Sequence, residues 1–278
     1  MKKVVISLTI LFFIPALMMG QGFYARVGLG GALGTNSSYD QLFSEVDHGN
    51  NSYSITSLPM NLGSGAFFNI AAGYQFKHYC GVELILNEAF GVSLKGTTTS
   101  DLVGGWTTET RVYGSMFSII PTFVLNPNLW KVNPYAHFGI MIGVVPVMFR
   151  DYEATRATST DYDEDETEFY YSGVAVGIQA GAGVEWNLSH LIALNLEVNY
   201  SGISYSPKKS KLTESTVDGE DQLGSMTVYQ KEKKYVKVLD ESFGTTPPQD
   251  QPREELRTNF SFSNVGLLFG IKFKFGKK

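Results

Sequence analysis

Hydrophobic and polar positions alternate with a period of two along most of this chain. The last segment shows it most clearly. Val265, Leu267, Phe269, Ile271, Phe273 and Phe275 share one parity, and Gly266, Leu268, Gly270, Lys272 and Lys274 share the other. Successive side chains of a strand point to opposite faces, so this segment is predicted to be a strand with one apolar face. The same test predicts seven earlier strands. Strand one is Phe23 to Gly34, strand two about Gly65 to Lys77, and strand three begins near Gly81. Strand four is about Thr110 to Leu125, with Pro121 suggesting a bulge or an end. Strand five is about Tyr135 to Phe149, with Pro146 near its upper end. In strand six, Ser172, Val174, Val176, Ile178, Ala180, Ala182, Val184 and Trp186 alternate with Tyr171, Gly173, Ala175, Gly177, Gln179, Gly181, Gly183 and Glu185. Strand seven sets Ile192, Leu194, Leu196 and Val198 opposite Ala193, Asn195, Glu197 and Asn199.

The connections alternate in length. Polar stretches at 35–64, 95–109, 150–168 and 206–258 are long, and the links after Lys77, Asn126 and Asn187 are short. An even number of strands of about ten residues, joined by alternately short and long connections, is the pattern of an up-and-down transmembrane barrel. The fold class expected is all-β: an antiparallel eight-stranded transmembrane β-barrel with short periplasmic turns and long extracellular loops. Aromatics near strand ends are expected to form two interfacial girdles. Tyr79, Trp130, Tyr135, Trp186 and Phe275 would form one, and Tyr113, Phe149, Tyr170, Tyr205 and Phe260 the other.

Residues 1–20 read as a signal peptide. Lys2 and Lys3 precede an apolar run, Val4 to Leu17, that is short for a spanning helix. The barrel domain is then 21–278. With 43% hydrophobic residues, disorder is not the expected class. The 29 glycines, 15 tyrosines and 19 phenylalanines suit strands and interfaces. A formal charge of −5 argues against a nucleic-acid partner. The one cysteine, Cys80, can form no internal disulfide.

The leader, the eight alternating strands and the closing segment from Val265 to Phe275 resemble the small outer-membrane β-barrel proteins of Gram-negative bacteria. The chain continues past the final aromatic with Gly276, Lys277 and Lys278. The resemblance implies a place in the outer membrane and no single activity. Members of that family serve as adhesins, anchors, secretion accessories, small-solute conduits and, rarely, lipid-modifying enzymes.

Candidate chemistry is sparse. The glycines of Gly28 to Gly34 lie within a strand, not between a strand and a helix, so no nucleotide loop is expected. The acidic run Asp161 to Glu168 lacks the glycine and spacing of a calcium loop and reads as a solvated segment. Of His48, His78, His137 and His190, only His137 has inward parity, and nothing in the spacing of Ser118, His137 and Glu197 singles out a triad. No catalytic residue, metal or cofactor is expected, and the protein is not expected to be an enzyme. Met226 to Lys231 and Tyr235 to Leu239 have strand composition and predict an extracellular hairpin, with Thr245 to Arg253 irregular.

The interior of an eight-stranded barrel is just wide enough for side chains. Parity places Arg26, Glu83, Glu185, Glu197 and Lys272 inside, mostly in the periplasmic half. Buried charges must pair, because an unpaired one costs several kcal/mol. The expected network has Glu83 and Glu185 bridging Arg26 and Lys272, with Glu197 above them, and a plugged lumen. The function expected is a structural or interaction role: a monomer presenting loops for an extracellular ligand, with membrane lipid around it. The alternatives are a transport or secretion accessory, either a conduit for a small hydrophobic solute or a dock for a periplasmic protein partner, and, remotely, a lipid-modifying enzyme.

Overall fold

The computed structural model describes residues 22–35, 38–48, 53–76, 79–100, 106–127, 129, 131–156, 163–239 and 247–275. The signal peptide expected over 1–20, together with Lys77, His78 and Trp130, lies outside them. Eight strands form the barrel: β1 Phe23–Gly34, β2 Gly65–Gln75, β3 Cys80–Gly91, β4 Trp106–Leu125, β5 Val132–Arg156, β6 Ala175–Asn187, β7 Ile192–Tyr205 and β8 Asn264–Lys274. Each pairs antiparallel with the next. The first and last then pair along their whole length, from Tyr24 opposite Lys274 to Gly34 opposite Asn264, and close the sheet on itself. Closure leaves no barrel edge to pair with another chain.

The outer surface of the barrel is apolar. Leu29, Val176, Leu196, Leu267 and Phe269 are each more than half exposed, with Ile140, Phe138 and Val198 beside them. Such a continuous belt would be costly in water and is the surface that hydrocarbon covers. Among the described residues no helix is long and apolar enough to cross a membrane.

Glycines face large inward side chains across the narrow interior. A Cβ on Gly181 would lie 2.2 Å from the His137 ring, and one on Gly73 2.3 Å from the Tyr24 ring. Small residues at these positions make room for rings that two full-sized neighbours would exclude.

At the long-loop end the wall continues as sheet. Leu94–Ser100 pairs with the top of β4, and the tops of β4 and β5 pair from Val112 opposite Arg150 to Trp106 opposite Arg156. Asp163–Tyr171 pairs with β5 on one side and Lys209–Val217 on the other. Much of the stretches 95–109 and 150–168 is therefore strand rather than loop. Their inward positions are largely polar or small, Ala154, Glu168, Ser210 and Ser215 among them, so they carry little apolar alternation to betray them.

Three further expectations are corrected. Met226 to Lys231 is not a hairpin strand: Val228–Lys231 is a single helical turn opened by a Thr227–Gln230 capping box. The strand that follows, Glu232–Val236, pairs antiparallel with Lys209–Lys211 and parallel with Arg253–Leu256. Pro121 and Pro146 both lie inside their strands. The register shift falls at Phe117/Ser118, opposite Gly143 and Val145, so the extra residue on β5 is Val144. A bulge of this kind reverses the facing of everything beyond it. Finally, Tyr135, Tyr170, Tyr205 and Phe260 are buried inside and belong to no girdle. Proximity to a strand end selects depth, and parity selects the face. Tyr79, Trp186 and Phe275 are exposed, and Tyr113 and Phe149 half-exposed, as interfacial residues should be.

Candidate functional site

The interior is layered. Its floor, toward the short turns, is ionic. Arg26 on β1 is 3% exposed and donates to two carboxylates, Glu83 of β3 at 2.7 Å and Glu197 of β7 at 2.6 Å. Glu197 also accepts from the Tyr135 hydroxyl at 2.8 Å and from Asn199 Nδ2 at 3.3 Å, and His137 Nε2 lies 3.1 Å away. Tyr135 in turn accepts from Asn195 at 3.4 Å. A second pair lies alongside. Lys272 binds Glu185 at 2.5 Å and sits 3.8 Å from the centre of the Tyr24 ring, while Lys274 is 3.8 Å from the other Glu185 oxygen. Three cations thus face three carboxylates.

All five residues picked out by parity are here, each no more than 6% exposed. Their pairing differs from the expected one. Glu197 is a direct partner of Arg26 rather than a group above it, and Glu185 serves the lysines. Barrel stagger sets which strands meet at one depth, and parity carries no information about it. Tyr135, His137 and Asn195 complete the floor. Their inward parity on β5 and β7 was the available signal.

Above the floor comes a polar layer of Asn69, Asn87, Ser118, Gln179, Asn199 and Ser201, all buried. Between Asn87, Gln179, Asn199 and Ser201 of this layer and Met116, Met141 and Phe262 above them lies a cavity of about 20 Å³, room for roughly one water molecule. Among the described residues, Gln179 Oε1 and Asn69 Oδ1 are buried with no hydrogen-bond partner. Ser118 does not join His137. Ser118 is opposite Gly143 in the β4–β5 ladder and His137 is six residues further down β5, about 20 Å along the strand.

The third layer is apolar. Met60 and Leu62 enter ahead of β2, and Phe260 and Phe262 ahead of β8; all are at most 3% exposed. They pack with Met116, Met141, Met148, Tyr170, Ile203, Tyr205 and Tyr235. The two entering segments are tied together. Leu62 N donates to Ser261 O at 2.8 Å and Asn61 Nδ2 to Ser263 O at 3.0 Å, while Phe262 N anchors the second segment to Ile203 O of β7 at 3.0 Å.

Over this layer a buried carboxylate locks the head together. Glu168 is 1% exposed and receives Arg150 at 2.7 Å, Lys233 at 3.0 Å, the Tyr170 hydroxyl at 3.0 Å and the Ser210 hydroxyl at 2.5 Å. Burial alone would raise the Glu168 carboxyl, but Arg150 and Lys233 outweigh it and hold it below the ordinary glutamate value. The partners come from β5, from 209–217 and from 232–236, so one side chain fixes three segments. The expected solvated reading of the acidic run fails at Glu168, because the strand it lies on turns it inward.

The outer membrane protein beta-barrel domain family matches residues 5–230. No curated protein matches the chain. Among solved structures, the crystal structure of the Ralstonia pickettii toluene transporter TbuX is 11% identical, covering 92% of this chain and 90% of that one at a TM-score of 0.21. The CymD monoaromatic hydrocarbon channel is 9% identical, covering 93% and 90% at a TM-score of 0.19. With the family match spanning most of the chain, and a closed eight-stranded barrel wrapped in an apolar belt, this chain belongs to the outer membrane protein β-barrel family and resides in the outer membrane.

Proposed function

We propose that the protein is a monomeric barrel whose lumen is plugged and whose work is done by its extracellular head, as a structural or interaction protein. In barrels of this class the short turns are periplasmic and the longer connections extracellular. One observation supports the reading: among the described residues the ionic floor, the polar layer and the apolar cap follow one another up the interior, and the cavity between the last two is about 20 Å³. A passage for solutes would need the cap segments and the floor to part together. The head is instead built to hold a shape, since Glu168 binds three of its segments. A stiff, exposed scaffold lowers the ordering cost of binding a partner.

The test is to replace Thr213 to Lys231 by a short Gly–Ser link, which leaves Ser210 and Lys233 in place. Cell-surface attachment or aggregation is expected to fall to the level of cells lacking the protein, with the barrel still heat-modifiable. Attachment that is unchanged, with solute uptake that depends on the barrel, would replace this reading with a conduit.

A further inference from the structure

On the outside of the wall, just above the lipid belt, four rings run in a row across three neighbouring strands. Tyr113 stacks on Phe149 at 5.5 Å between ring centres, Phe149 on Phe169 at 5.0 Å, and Phe169 on Tyr171 at 5.6 Å. Val147, two residues down β5 from Phe149 on the same face, and the exposed Val174, three residues on from Tyr171, stand just below the row. This is the depth of a lipid headgroup boundary, where amphipathic rings are favoured. The next strand continues the row with cations. Lys209 is the register partner of Tyr171 and Lys211 of Phe169. Ser210 between them turns inward to Glu168, so both lysines face out, and both are exposed. Among the described residues neither makes an ion pair, whereas Lys234, opposite Lys209, is held by Glu254 at 2.7 Å. Glu232 stands opposite Lys211. Above the rings on the other side the outward positions are Asp151, Glu153 and Asp165, three carboxylates that would repel an anion, against the single Glu232 beside Tyr171 and the two lysines at the other end of the row.

We propose that this strip is a binding site for a phosphorylated glycolipid of the outer leaflet, with the rings against its sugar–acyl boundary and Lys209 and Lys211 on its phosphate. The charge complementarity is local: a chain of net charge −5 places unpaired cations at headgroup depth beside a ready aromatic shelf. Each lysine at a membrane surface contributes about a 5-fold gain in affinity for anionic lipid, so the two together give about 25-fold.

The full chain in a neutral detergent, titrated with bisphosphorylated lipid A and followed by native mass spectrometry, tests this. The wild type is expected to retain one lipid. Lys209→Ala/Lys211→Ala should need about 25-fold more lipid for the same occupancy. Lys209→Arg/Lys211→Arg should behave as the wild type, as should Lys131→Ala at the periplasmic end. Dephosphorylated lipid should not be retained. Equal retention by the double alanine variant, or equal retention of the dephosphorylated lipid, would overturn the proposal. Both lysines are exposed, so heat-modifiable migration should be unchanged in every variant.

Discussion

Arg26→Ala is the perturbation that asks most of the floor. It removes the cation shared by Glu83 and Glu197, whose side chains are 4% and 2% exposed. Both carboxylates are buried, and among the described residues neither has a second lysine or arginine within ion-pair distance. Removing one partner of a buried ion pair costs about 3–5 kcal/mol, mostly because the remaining charge is stranded. Here two charges are stranded at once, although Tyr135, Asn199 and His137 still surround Glu197. The loss expected for Arg26→Ala is therefore about 4 kcal/mol, at the middle of that range. Glu197→Gln should cost more than Glu83→Gln, because Glu197 has several donors to disappoint. The triple variant Arg26→Met/Glu83→Gln/Glu197→Gln removes the charges together and should recover most of the loss, to within about 1–2 kcal/mol of wild type. Urea unfolding in micelles, followed by tryptophan fluorescence, measures all four. A change below about 1 kcal/mol for Arg26→Ala, or a triple variant as unstable as the single, would refute the argument that the network is a closed, desolvated unit.

Two further outcomes are expected. Gly181→Leu forces the His137 ring out of the space it fills at 2.2 Å and should destabilise the barrel by about 1–3 kcal/mol, read by the same unfolding assay, whereas Gly224→Ala, with open space around it and no left-handed backbone, should cost less. The Glu168 carboxyl is held below its ordinary value in the folded head, so its stabilising contribution is complete above the unfolded glutamate value of about 4.3 and is lost as pH falls through the lower folded value. Hydrogen exchange in 209–217 should therefore be slow and steady from pH 7 to pH 5, after correction for intrinsic rates, and should accelerate below about pH 4. The acceleration should be absent in Glu168→Gln.

Alternation made the barrel legible because one face of each strand meets lipid. The bounds of β1 agree with its pattern to the residue, and β6 and β8 differ only at their ends. The head was illegible for the converse reason. Asp163–Tyr171 and Lys209–Val217 are polar on both faces, so nothing in their periodicity separates strand from loop. The floor was half legible. Parity could say that Arg26, Glu83, Glu185, Glu197 and Lys272 turn inward, but the choice of Glu197 for Arg26 depends on a stagger that only the closed sheet defines. Nearness to a strand end points Tyr135 to the girdle, although its parity is that of His137 and is the signal that decides the face. The cap was missed because Leu62 and Phe262 lie in short segments that fold inward after a polar stretch, where no periodic pattern exists to read.

The most direct test of the plugged lumen is single-channel recording from the wild-type chain in planar bilayers. The floor, the polar layer and the cap together predict a flat trace, with no stable step of porin size, and the appearance of steps only when Arg26→Ala is combined with Leu62→Ala and Phe262→Ala. Stable porin-sized steps from the wild type would contradict it.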